Sequence, residues 1–218
     1  MHLKTLSTVF AVGVVLVGTP VPSIPSEATP LSPQSPIDLD VCGAPSLPTA
    51  HVKARALVTQ IRADLAAVEE EIRHVPFLSA VEAGTVPVEQ IAAVAAEEYS
   101  IIRSDMQSFA SMAQRWDTPT GRHFFGDLAA GEAFALPLLL AFGAHVGLDE
   151  QALAAYEPRP KAQTYPSRVA WIAANADRAS AAASFLVNFG VFGENMARVR
   201  DALIRVYGFA PEDISNSR

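Results

Sequence analysis

The chain has 218 residues, half of them apolar and only 18% charged, with a formal net charge of −7. That composition excludes a disordered chain and allows one ordinary domain with a real core. It offers no basic block for a nucleic-acid backbone, so no nucleic-acid partner is expected. One cysteine, Cys42, excludes an internal disulfide and a zinc site built on several thiolates.

Residues 1–50 read differently from the rest. Lys4 precedes an apolar run from Leu6 to Gly18, and half of the sixteen prolines lie between Pro20 and Pro48. Residues 1–22 have the layout of a secretory signal, too short for a stable membrane span. Residues 23–51 read as an extended proline-rich linker. The first segment is either an export signal or an upstream extension ahead of a cytoplasmic domain, which begins at His51 or Val52.

The first helix is expected over 53–73, where Leu57, Ile61, Leu65, Val68 and Ile72 recur on one face. Val75-Pro76 ends it. Phe77 to Val81 reads as one short helix, with Gly84 as its stop and Thr85 to Pro87 as the next start. A long helix follows over 88–116, with Ile91, Val94, Ala95, Ile102, Met106, Phe109 and Ala113 on its apolar face. Glu98 lies on that face and Asp105 at its edge. A loop over 117–121 precedes a third long helix over 122–145, striped by Phe125, Leu128, Ala135, Leu136, Leu139 and Phe142. Glu132 interrupts that stripe, and Pro137 should kink the helix. Residues 149–156 read as a short helix and 157–164 as a loop. Helices follow over 167–175 and 178–207, the latter interrupted near Gly190 or Gly193. No stretch alternates with period two, so the fold class is all-α.

Glu98 and Glu132 are the candidate catalytic residues. A buried carboxylate is costly unless paired, and two on facing helices can line a polar pocket. Desolvation and mutual repulsion would then raise a pKa into the range of acid–base work. The alternative is that each is satisfied by an arginine, a tyrosine or a backbone group. Ser184, Asn188, Phe192 and Asn195 share one helical face and either line a cavity or bond a neighbouring helix. Trp171, Phe185, Phe189 and Phe192 read as core. For metal, Glu71-Ile72-Arg73-His74 is a single Glu-x-x-His without a second copy, and His123 stands too far along its helix from Glu132. No metal set and no cofactor is therefore expected.

Val75-Pro76-Phe77-Leu78, Ala83-Gly84-Thr85-Val86-Pro87 and Glu97-Glu98-Tyr99 together resemble the opening of the TenA family. Phe124 to Glu132 and Phe185 to Tyr207 are similar to the wider TenA and PqqC group. The resemblance covers about residues 53–209. It implies a haem-oxygenase-like helical bundle lacking its last helices. It also implies a central pocket for a small heterocyclic ligand, with Tyr99, Asp105, Ser184, Asn188 and Phe192 as substrate-binding positions. Glu98 matches the family's second-helix aspartate. Asn188 falls near the family's cysteine nucleophile and cannot replace it, and Phe192 stands where a tyrosine hydroxyl is expected. Thiaminase chemistry is thus not carried over. In the di-iron branch Glu132 would match one glutamate, but the histidine after it is absent. A bundle short of helices would leave apolar faces bare, which implies a homo-oligomer. The functions left open are a small-molecule enzyme or binder, a non-catalytic accessory protein, and a degenerate remnant.

Overall fold

The computed structural model describes residues 47–214, so the signal-like segment, Cys42 and most of the proline-rich stretch lie outside the described residues. The described chain is helical, in the order α1 (Leu47–Arg73), α2 (Pro76–Glu82), α3 (Val88–Arg115), α4 (Pro119–His145), α5 (Glu150–Ala155), α6 (Thr164–Asn175), α7 (Arg178–Arg205) and α8 (Pro211–Ile214). There is no strand among the described residues.

Local chemistry explains most of the boundaries. Gly84, Gly147 and Gly208 have φ of 70°, 83° and 74°, the left-handed region in which a helix is turned off. Asp149 caps α5 by accepting from Ala152 N at 2.7 Å. Asp177 caps α7 by accepting from the amides of Ala179 and Ser180.

Several features differ from the expectation, among them α6, which begins at Thr164 and not at 167. α1 is already helical at Leu47, the first described residue, inside the stretch read as linker; Pro48 is tolerated there, as no other proline follows before Arg73. α4 starts at Pro119, because Thr118 accepts from Gly121 N at 3.1 Å and makes a helix start of what reads as a loop. α7 runs unbroken through Gly190 and Gly193. The penalty for glycine inside a helix, about 1 kcal/mol each, is offset by burial of Phe185, Val191 and Phe192 on the same helix. Pro137 sits inside α4 without ending it.

α3 is the central element, flanked by α4, α5 and α6. Its buried residues therefore cover more than one stripe, and Ala95 to Tyr99 are buried without a break. Three clusters follow it from end to end. Val81, Val86 and Ile91 meet Ala202 and Leu203 of α7 at its start. Tyr99, Ile101 and Ile102 meet Ala135, Leu139, Leu153 and Phe192 in the middle. Phe109 and Met112 meet Phe125, Val169, Ile172 and Phe185 at its end. Phe109 and Phe185 cross edge to face with centroids 5.2 Å apart, and each such buried ring contributes about 1.5–3 kcal/mol by burial.

α1 is held differently. It packs on α7, and none of its apolar stripe is fully buried; Leu57 is 58% exposed. Its end is tied by polar bonds. Arg198 of α7 donates Nε and Nη2 to Glu82 at 2.6 and 2.9 Å and Nη1 to the Arg73 carbonyl. Asn195 Nδ2 donates to the Ile72 carbonyl at 3.0 Å. Trp171, read as core, is half exposed, with the Arg168 guanidinium stacked 4.7 Å from its ring. α4 is long and apolar enough to cross a membrane, with 22% of its most apolar window buried. Its inner face, with Phe125, Glu132, Ala135, Leu139 and Gly143, is buried in the bundle.

Candidate functional site

Glu98 and Asp105 stand seven residues apart on α3, two turns or about 10 Å along one face. α4 is the main partner of α3 and brings Glu132 towards them. All three are buried, with relative exposures of 5%, 0% and 3%. No protein group donates a hydrogen bond to either oxygen of Glu98 or to Glu132 Oε2, while Asp105 faces the Tyr165 hydroxyl.

Their electrostatics follow from that placement. Burial pushes the Glu98 carboxyl well above its ordinary range, and the charges of Glu132, Asp105 and Glu97 push it further. Glu132 is raised to about 8, by burial first and then by Asp105. Asp105 is raised to about 7 by burial, against a downward pull from the Tyr165 hydroxyl. Repulsion within such a cluster falls on whichever group ionises later, so the three share their protons. A neutral carboxyl can donate to one heteroatom and accept from another, and one titrating near neutrality can move a proton in either direction.

Glu97, the neighbour of Glu98, is equally buried but fully engaged. Its Oε1 accepts from the Tyr156 hydroxyl at 2.9 Å and from Arg159 Nε at 2.6 Å. The Arg159 amide lies 3.3 Å from each Glu97 oxygen. Glu97 carries no expected role from the sequence beyond its place in Glu97-Glu98-Tyr99. The signal available was its place in Ala95-Ala96-Glu97-Glu98-Tyr99, where small and aromatic neighbours mark a helix enclosed on several sides.

The remaining expected positions are distributed as follows. Tyr99 and Phe192 are buried in the same cluster, and the Tyr99 hydroxyl accepts from Arg103 Nη1 at 3.3 Å. Ser184 is exposed, and its hydroxyl donates to the Ala181 carbonyl of its own helix at 2.7 Å. Asn188 lies on α7, but its side chain falls outside the described residues. Asn195 bonds α1, the neighbouring-helix alternative, although its Oδ1 has no protein donor. His74 is exposed and bonded to Glu70, and His123 pairs with Asp127 at 3.4 Å on the surface. Among the described residues no group of three or more His, Cys, Asp or Glu side chains is arranged to hold a metal ion.

Among curated proteins and among solved structures nothing matches this chain. A family model does, over residues 62–211, from the second half of α1 into the start of α8. That span takes in α3, α4 and all three buried carboxyls, so the chain is a member of the TENA/THI-4/PQQC family, whose fold is the helical haem-oxygenase-like bundle.

Proposed function

We propose that the protein binds a small heterocyclic molecule between α3 and α4 and exchanges protons with it through Glu98, Asp105 and Glu132. The observation that carries this reading is the set of buried oxygens of Glu98 and Oε2 of Glu132, for which no protein group donates a hydrogen bond. Burying such groups without partners costs about 1–3 kcal/mol each. A ring bearing N–H donors and a basic nitrogen would satisfy both states of the cluster. Tyr99 and Phe192 supply aromatic surface in the same core.

The test is a thermal-shift screen of the full chain against pyrimidines and other nitrogen heterocycles. A ligand at 100 times its Kd adds roughly 2.7 kcal/mol of stability. A shift seen with the native chain and lost in Glu98→Ala supports the reading. A cooperative melt that no heterocycle moves defeats it.

One observation favours a second reading, that of an accessory protein that docks a partner or a second copy. Val52, Leu57 and Val68 leave an apolar face of α1 exposed. Size-exclusion chromatography with dye binding discriminates: a monodisperse monomer that binds no hydrophobic dye speaks against it.

A further inference from the structure

We infer that two copies of this chain pair through α1, the two helices running antiparallel about a twofold axis. The inference rests on the second reading, of a docking face on α1, and names its occupant; it is independent of the ligand-binding one. Lys53, Leu57, Gln60, Asp64, Val68 and Glu71 recur at steps of three and four residues. They therefore form one stripe along the helix, within about 80° of arc. All six are exposed, Leu57 by 58% and Val68 by 45%. Beside the stripe run Val58, Ile61, Leu65 and Ile72, the half-buried side of a helix that packs on α7.

The stripe is complementary to itself reversed. In chain order it runs basic, apolar, amide, acidic, apolar, acidic. Laid antiparallel on a second copy, Lys53 of one chain faces Glu71 of the other, Leu57 faces Val68, and Gln60 faces Asp64. All three pairs centre near residue 62, so one register satisfies them together and the twofold repeats each contact. A parallel pairing would set Lys53 on Lys53 and Glu71 on Glu71, like charge on like. Lys53 and Glu71 are available for this role. Glu69 and Glu70 are engaged by Arg73, and Glu70 also by His74, whereas neither Lys53 nor Glu71 has an ion-pair partner among the described residues. Gln60 donates to Asp64 of its own helix at 2.7 Å, a bond that pairing exchanges for the same bond between copies. Ala56, Ala63 and Ala67, also exposed, flank the stripe with small side chains that let two helices approach.

Sedimentation equilibrium of the full chain over a range of concentrations tests this, with Lys53→Glu, Glu71→Lys and the two substitutions together. The native chain should self-associate, with a dimer as its smallest step. Each single reversal sets like charges against each other at both ends of the helix pair. It should raise the dissociation constant about tenfold, because the twofold doubles the effect. The double variant restores opposite charges and should return the constant to within about threefold of native. If a reversal does not melt cooperatively, Lys53→Gln and Glu71→Gln, which only remove a charge, should each weaken the dimer in its place. A native chain that stays monomeric at every concentration overturns the proposal, and with it the second-copy form of the second reading. A dimer that the single substitutions leave unchanged, or that the double reversal does not restore, overturns this pairing while the second reading stands on another surface.

Discussion

Neutralising Glu132 with Glu132→Gln should remove part of an unusual pH dependence. The native carboxyl is raised from an ordinary 4.5 to about 8, so the folded state holds a proton that the unfolded state releases across that interval. The resulting stability is complete below 4.5 and is lost as pH rises to about 8. Linkage sets the slope at about 1.4 kcal/mol per pH unit for one such proton, so pH 5 to pH 7 costs about 3 kcal/mol through Glu132 alone. For a chain of this size that lowers the melting temperature by roughly 10 °C. Asp105, raised to about 7, acts in the same sense. Asp177, lowered by the Ser180 hydroxyl and amide, acts in the opposite sense below its ordinary 3.8, outside this window. Differential scanning calorimetry from pH 5 to 8 measures the effect. The native chain should lose stability steadily. Glu132→Gln should fall less steeply and be the more stable protein at pH 8. A native melting temperature that is flat or rises with pH, or equal slopes for the two proteins, would refute the assignment of buried neutral acids.

Phe109→Ala removes a ring with 0% exposure that crosses Phe185, and should cost about 3–5 kcal/mol in urea unfolding. Gly84→Ala forces a left-handed residue and brings a Cβ to 2.5 Å from Val206 Cγ1. It should cost about 1–2 kcal/mol, and Val206→Ala in the same chain should return part of that, by a double-mutant cycle. Arg198→Ala frees Glu82 and the Arg73 carbonyl. It should speed amide exchange in α1 while leaving the Phe109 region of α3 at its native rate.

The helices were legible where proline, glycine and capping side chains punctuate the chain, as at Pro87, Gly147 and Asp149. Thr118 is not legible as a cap, because Thr-Pro-Thr-Gly looks like a turn until the helix behind it exists. The apolar periodicity of α1 identified which face is hydrophobic, but period alone does not say whether anything covers that face. Glu98 and Glu132 were conspicuous because each breaks an apolar stripe. Glu97 was not, since a single-stripe view of α3 assigns the adjacent position to solvent, whereas α4, α5 and α6 surround this helix. Arg159 and Tyr156 carry no local sign of their partner, because the bonds they make span 62 and 59 residues.

The tie between α1 and α7 has a consequence for biosynthesis. The Asn195 bond to Ile72 joins residues 123 apart in the chain. A ribosome delivers about 5–20 residues per second from the N-terminus. α1 therefore emerges first and stays without its packing partner for roughly ten seconds, its leucines and valines open to solvent throughout. Among the described helices α1 is the first made and packs on α7, near the other end of the chain, so its apolar face stays uncovered until α7 has emerged.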